Sequence, residues 1–248
     1  MDDAALLSVL HEAADAVTAV LAGLEDWGPA GTRPGQYHSD LVADAAAVEI
    51  LTSAGLGVVS EESGGHGGNL PLVAVLDPVD GSTNASRRIP WYATSICVLD
   101  DGGPRVAVVV NQASGVRYEA ARGGGARRDG RSIRPSSCTA LGTALVGLTG
   151  LPPRHLGWRQ FRTLGAAALD LCAVADGTLD GYIDCVSDAH GPWDYLGGLL
   201  VCQEAGAVVA DAGGRSLVTA GHGARRTPVA AATPELLAEL TAARATFQ

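Results

Sequence analysis

Leu72-Val73-Ala74-Val75-Leu76-Asp77-Pro78-Val79-Asp80-Gly81-Ser82-Thr83-Asn84 decides how the chain is read. The first five residues form an unbroken apolar run of strand length, as expected of a strand buried on both faces. The run ends at two carboxylates three residues apart, which are costly beside a buried strand unless a cation lies between them. Pro78 fixes its own φ and removes an amide donor, and is predicted to hold both acids on one side of a tight turn. Gly81, Ser82 and Thr83 then offer amides and hydroxyls suited to a phosphate, best of all if a helix starts there. A plain Asp-Gly turn with solvated acids is the simpler alternative. The whole octapeptide after a buried strand favours a metal-phosphate site.

Composition narrows the setting. A chain of 248 residues, 47% hydrophobic and with a net charge of -10, can bury a large core in one domain or two fused lobes. The acidity argues against a nucleic-acid partner held by a basic surface. It suits a phosphate-handling protein only if divalent cations supply the positive charge. No apolar run reaches the ~20 residues that cross a bilayer, and no basic leader precedes Asp2 and Asp3, so neither a membrane partner nor a signal peptide is expected. Five cysteines without C-x-x-C spacing fit reduced thiols in a cytoplasm, with Cys97, Cys172 and Cys202 as core residues.

Along the chain, apolar residues at helical spacing predict a packing helix from Asp3 to about Glu25, with His11 on its surface. A second helix is expected over about Asp40 to Ser53. The glycines from Gly64 to Gly68 read as a mobile loop at the site mouth. Thr94 to Leu99 and Arg105 to Val110 flank Asp100-Asp101-Gly102-Gly103 as a hairpin. Val116 to Ala120 and the turn at Arg128 to Arg131 extend the meander. From about Ser136 strands alternate with helices: strands over Thr143–Leu148, Gly181–Cys185, Ala207–Ala210 and Val229–Ala231, and helices over Leu164–Ala175 and Trp193–Glu204. Thr233-Pro234-Glu235 starts a last helix.

D-P-V-D-G-S-T-N resembles the D-P-[IVL]-D-G-[TS]-x-N signature of the inositol monophosphatase family, magnesium-dependent phosphatases inhibited by lithium. Glu61-Glu62-Ser63 resembles its G-E-E-S segment, with Ser60 in place of the glycine. Pro192-Trp193-Asp194 through Gln203-Glu204-Ala205-Gly206 resembles its W-D…E-A-G segment. The likeness runs from roughly Asp40 to Ala232. It implies an α/β (α+β) fold, a layered α-β-α-β-α sandwich. One phosphatase domain over residues 1–248 is expected, with an N-terminal lobe 1–135 and a C-terminal lobe 136–248.

The resemblance also implies roles. Glu61, Asp77 and the carbonyl of Val79 would hold one metal, and Asp77, Asp80 and Asp194 a second. Two or three Mg²⁺ per site are implied, with Mn²⁺ as a substitute; oxygen-only ligands suit both. Ser82 would orient the attacking water, with Glu61 taking part and Asp44, or its competitor Asp40, behind the hydroxyl. The amides of Gly81 and Ser82 would bind phosphate. Ala167, in the stretch after Arg162, and Asp184, a shorter acid than the family's glutamate, would meet the substrate. Asp188 and His190 lie in a segment from Cys185 to Gly191 that is about three residues longer than in the family. They either reach the leaving group or sit in an exposed loop. Glu62 is left open as a supporting or merely exposed acid, and Glu204 reads as structural.

The expected activity is phosphomonoester hydrolysis by water activated between two metals, on a small phosphorylated metabolite such as an inositol or sugar phosphate. Histidinol phosphate, a phosphonucleoside or a catalytically idle binding relative are the alternatives, and a homodimer is implied by analogy. A nucleotide-binding α/β protein would need a G-x-x-x-x-G-K-[ST] or G-x-G-x-x-G turn, and neither occurs.

Overall fold

The computed structural model describes residues 1–68 and 70–247. Two helices come first, α1 (Asp3–Ala22) and α2 (His38–Ser53). The first sheet holds β1 (Gly57–Ser60), β2 (Gly64–His66), β3 (Val73–Asp80), β4 (Ala93–Asp100), β5 (Gly103–Asn111), β6 (Arg117–Ala121), β7 (Gly125–Arg128) and β8 (Arg131–Ser132), with the short helix α3 (Ser82–Ser86) after β3. The second holds β9 (Leu145–Thr149), β10 (Gln160–Arg162), β11 (Gly181–Asp184), β12 (Val208–Asp211) and β13 (Pro228–Ala231). Three more helices are α4 (Ala167–Ala175), α5 (Pro192–Ala205) and α6 (Pro234–Arg244).

The strand orders are β2-β1-β3-β4-β5-β6-β7-β8 and β10-β9-β11-β13-β12. β1 and β3 run parallel, so the first sheet is mixed rather than the purely antiparallel one its hairpins predict. Strand alternation sorts the core into layers. Leu76, Ile96, Val98 and Val108 face α1 and α2, whereas Val75, Cys97, Ala107 and Val109 share a core with α4 and α5. Tyr182 and Ala230 close that core from the second sheet, while Ile183, Val229 and Ala231 turn outward to α6. The result is the expected α-β-α-β-α sandwich. α1 is long and apolar enough, by length and composition, to cross a bilayer. In the fold, Leu6, Leu10, Ala13, Val17 and Leu21 on one of its faces are buried against α2 and the first sheet.

Four local expectations change. Asp77 and Asp80 do not lie in a turn: the strand continues through them, with a register shift. Asp77 pairs with Ser95 and Asp80 with Ala93, so Pro78 and Val79 on one strand lie opposite Thr94 alone on its neighbour. In a regular strand, positions three apart point to opposite faces. The extra residue of the bulge brings both acids to one face, and Pro78 sits where no ladder donor is needed. Gly64 to His66 form β2, paired antiparallel with β1, instead of a mobile loop. α4 starts at Ala167, three residues late, because Gly165 has φ +90° and Ala166 is extended. His11 is half-buried, its Nε2 2.8 Å from Glu119 Oε2, and pins α1 to β6.

Candidate active site

Val75 faces α5, and Asp77, two residues on, shares that face. The bulge adds Asp80. Glu61 follows the parallel neighbour β1, its amide bonded to the carbonyl of Leu76 (3.1 Å). Asp194 is the third residue of α5, where its Oδ2 accepts from the amide of Gly191 (2.8 Å) and complements the helix start. Glu61, Asp77 and Asp194 each bring a carboxylate oxygen within 4.8 Å of the others. Asp77 is buried; its Oδ1 accepts from the amide of Val79 (3.0 Å) and its Oδ2 has no hydrogen-bond partner. Asp80 Oδ2 accepts from the amide of Ala168 (2.7 Å) at the start of α4.

The octapeptide also grips the segments before β4 and before α4. Asn84 Nδ2 donates to the carbonyls of Trp91 and Leu164, both at 2.7 Å. Gly81 has φ +86°, and a Cβ there would meet the Gly165 carbonyl at 3.0 Å and the Trp91 carbonyl at 3.1 Å. Ser82 opens α3 directly after it.

Electrostatics reflects this crowding. Burial, then the charges of Asp194, Glu62 and Asp80, push Glu61 up to about 8. Burial and then Asp194 push Asp80 up to about 7. Asp77 is held well above the ordinary carboxylate range by burial and then by Glu61, Asp80 and Asp194. Such acids accept a cation in place of protons. An unpartnered buried oxygen and an all-oxygen donor set fit a hard divalent ion such as magnesium or manganese.

The surrounding expectations sort as follows. Asp44 accepts from the hydroxyl of Ser60, the residue in the glycine's place, and not from Ser82. Asp40, buried at the start of α2, accepts from the amide of Tyr37 (2.8 Å), and its charge is felt by Asp77. Burial and then the charge of Glu62 raise Asp40 to about 7. Glu62 accepts from Arg33 Nη2 (2.6 Å) and from the Gln36 amide, so it ties the loop before α2 to the β1–β2 turn. Ala167 is buried and turns its amide to Asp80. Arg162 bonds the carbonyl of Phe161 on an exposed edge strand. Glu204 accepts from the amides of Gly123 and Gly125, both at 2.9 Å, and is structural.

The segment from Cys185 to Gly191 divides. Asp188 points to Arg215 (2.6 Å) and is exposed. His190 turns inward: Nδ1 lies 3.1 Å from Asp194 Oδ2, and Nε2 lies 3.1 Å from the Tyr182 hydroxyl and 3.6 Å from Asp184 Oδ2. Burial lowers the imidazole's pKa, but the bond to Asp194 and the charges of Asp194, Asp184 and Asp80 outweigh it, to about 9. Asp184 is fully buried, and burial raises it to about 6 against the opposing charge of His190. Two residues escaped the sequence reading. His222 lies on the Trp193 ring (4.8 Å) with Nε2 3.4 Å from the Glu61 carbonyl, and Arg225 stacks on the same ring (5.2 Å). Their loop between β12 and β13 carries no motif; only the tryptophan before Asp194 hinted at a covering partner.

The chain matches the inositol monophosphatase family over residues 6–247. It belongs to that family. It is 32% identical to the Nus factor SuhB of Escherichia coli (strain K12) over 237 residues, 88% of this chain and 84% of that protein. The inositol monophosphatase from Anabaena superposes with a TM-score of 0.82 at 27% identity, covering 98% of this chain and 96% of that one. The extragenic suppressor protein suhB from Bartonella henselae gives 0.82 at 26% identity, covering 98% and 99%. Family membership accounts for the three shared motifs. His190, His222 and Arg225 lie outside those three motifs.

Proposed function

We propose that the chain is a magnesium-dependent phosphomonoesterase acting on a small phosphorylated metabolite, an inositol phosphate, sugar phosphate or similar ester. One observation carries the reading: Glu61, Asp77 and Asp194, from three distant segments, present oxygens within 4.8 Å of each other around an unpartnered oxygen of Asp77. Nothing but a cation makes that arrangement favourable with the acids ionised.

In this reading Glu61, Asp77, Asp80, Asp194 and the carbonyl of Val79 hold two or three magnesium ions, for which manganese substitutes. The chemistry the ions supply is charge neutralisation at the phosphoryl group and acidification of water. The protein's own work is positioning, which dominates phosphoryl transfer. The Ser82 hydroxyl orients the attacking water, with Glu61 beside it. The amides of Gly81 and Ser82 donate to the phosphate; with Asp44 engaged by Ser60, its competitor Asp40 is the acid placed behind the Ser82 hydroxyl in this reading. The loop from Arg33 to Gln36, tied down through Glu62, borders the site. A single domain of two lobes working as a cytoplasmic homodimer completes the reading, by analogy with the family.

Phosphate release from a panel of cyclitol, sugar, nucleotide and amino-alcohol phosphates, with and without magnesium, tests it. Magnesium-dependent release from at least one ester is expected; none across the panel would overturn it. The relatives' name, Nus factor, favours a second reading as a binding subunit. It also reopens the exclusion of nucleic acid, because a net charge of -10 speaks only against direct contact through a basic face. Under that reading the binding role would survive an Asp80→Asn substitution that abolishes phosphate release.

A further inference from the structure

We propose that His190 is a positioning residue, holding Asp194 in place for a divalent cation and itself seated by Asp184. The inference rests on the metal-dependent reading above and assigns roles which that reading lacks. Asp194 Oδ2 already accepts from the Gly191 amide at 2.8 Å; the imidazole Nδ1 at 3.1 Å is its second donor. A carboxylate can only accept, so Nδ1 carries the hydrogen. With Oδ2 fixed twice, the carboxylate plane is set, and Oδ1 is left for an ion. Ligand carboxylates oriented in this way by outer partners bind metal more tightly.

The imidazole is held as firmly as it holds. Nε2 meets the Tyr182 hydroxyl, which is 2.7 Å from Thr149 Oγ1, and faces Asp184 Oδ2 at 3.6 Å. Backbone bonds clamp the residue from the other side: the His190 amide donates to the Arg226 carbonyl (3.2 Å), and the Arg226 amide to that of His190 (2.9 Å). Thus the lengthened segment and the loop before β13 brace each other and deliver one side chain to Asp194. Asp184 in turn is shut away. Its Oδ1 accepts from the Val186 amide (2.8 Å), and no part of it is exposed. The acid expected to meet substrate therefore acts through His190. A shorter acid than glutamate leaves the space the imidazole fills.

The test is Mn²⁺ affinity of the full chain by calorimetry at fixed pH, which needs no turnover. His190→Ala is expected to weaken Mn²⁺ binding about 10–100-fold. An asparagine amide nitrogen overlays Nδ1 of histidine and a glutamine nitrogen overlays Nε2. His190→Asn should therefore recover most of the affinity and His190→Gln little. Asp184→Asn should weaken binding in the same direction and add nothing on top of His190→Ala, because coupled groups are non-additive. Unchanged Mn²⁺ affinity in His190→Ala, or equal rescue by asparagine and glutamine, overturns the inference alone. So does a folded variant that loses only melting temperature. A wild-type chain that takes up no Mn²⁺ sinks the metal-dependent reading together with it.

Discussion

The site has two walls of different origin. One is the octapeptide from Asp77 to Asn84, where a bulge aims both acids to one face and Gly81 and Asn84 lock the turn onto the segment before α4. The other is built by the segment before α5 and the loop before β13, which meet only in space. The first wall draws its acids and its turn from residues adjacent in the chain, although the bulge that aims them is set by the pairing of β3 with β4. The second depends on long-range pairing, and its chemistry becomes visible only when His190 lies between Asp184 and Asp194. Local encoding makes the first wall sensitive to single changes; the second should tolerate most of them.

The largest effect is expected at Asp77. Asp77→Asn keeps the shape but removes the carboxylate with the unpartnered oxygen. Phosphate release should fall by at least about a hundredfold, as for a lost ligand or its support. The melting temperature in EDTA should rise, because the cost of burying an acid that ionises freely in the unfolded chain is removed. An active variant with unchanged melting would break the contrast between the walls. Next is Gly81→Ala. A positive φ forces a strained conformation worth about 1–3 kcal/mol on any other residue. The Cβ would also press on two carbonyls at 3.0 and 3.1 Å. Thermal unfolding should show a loss of that size; an unshifted transition would mean the turn is not locked to the segment before α4.

How far each wall was legible follows from this difference. β3, the octapeptide and α5 could be read because apolar periodicity and short motifs are local signals, whereas the layer order followed only from the family resemblance. The bulge could not, because it depends on how β3 registers against β4. Ser60 as the donor to Asp44 was hidden for a similar reason: β1 and α2 must pack before the pair exists. The parallel pairing of β1 with β3 and the covering of Trp193 by His222 and Arg225 likewise have no sequence-local cause.

A smaller effect concerns pH without metal. Glu61 and Asp80 titrate in the fold at about 8 and about 7, above unfolded values near 4. A raised carboxylate pKa means the fold holds the proton more tightly than the unfolded chain does. Its stability is fully present below about pH 4 and is lost as pH rises through 7 to 8. His190, raised to about 9, acts in the same direction, losing its contribution as pH climbs through that value. In EDTA the melting temperature should therefore decline from pH 5 to pH 8.5, and magnesium should flatten the profile. A flat profile in EDTA would show that the acids are not crowded.

The smallest expected effect sharpens the comparison most, because it separates neighbours within one segment. Asp188 stands two residues before His190 in the same segment from Cys185 to Gly191, and the sequence reading treated the two alike. In the fold Asp188 is more than half exposed and bonded to Arg215, itself partly exposed and also held by Asp211. Exposed pairs contribute under about 1 kcal/mol. Asp188→Asn should leave Mn²⁺ affinity unchanged and shift melting only slightly, whereas His190→Ala should weaken the affinity about 10–100-fold. If Asp188→Asn weakens the metal as His190→Ala does, the segment acts as a whole by its backbone, and no single side chain in it carries the second wall.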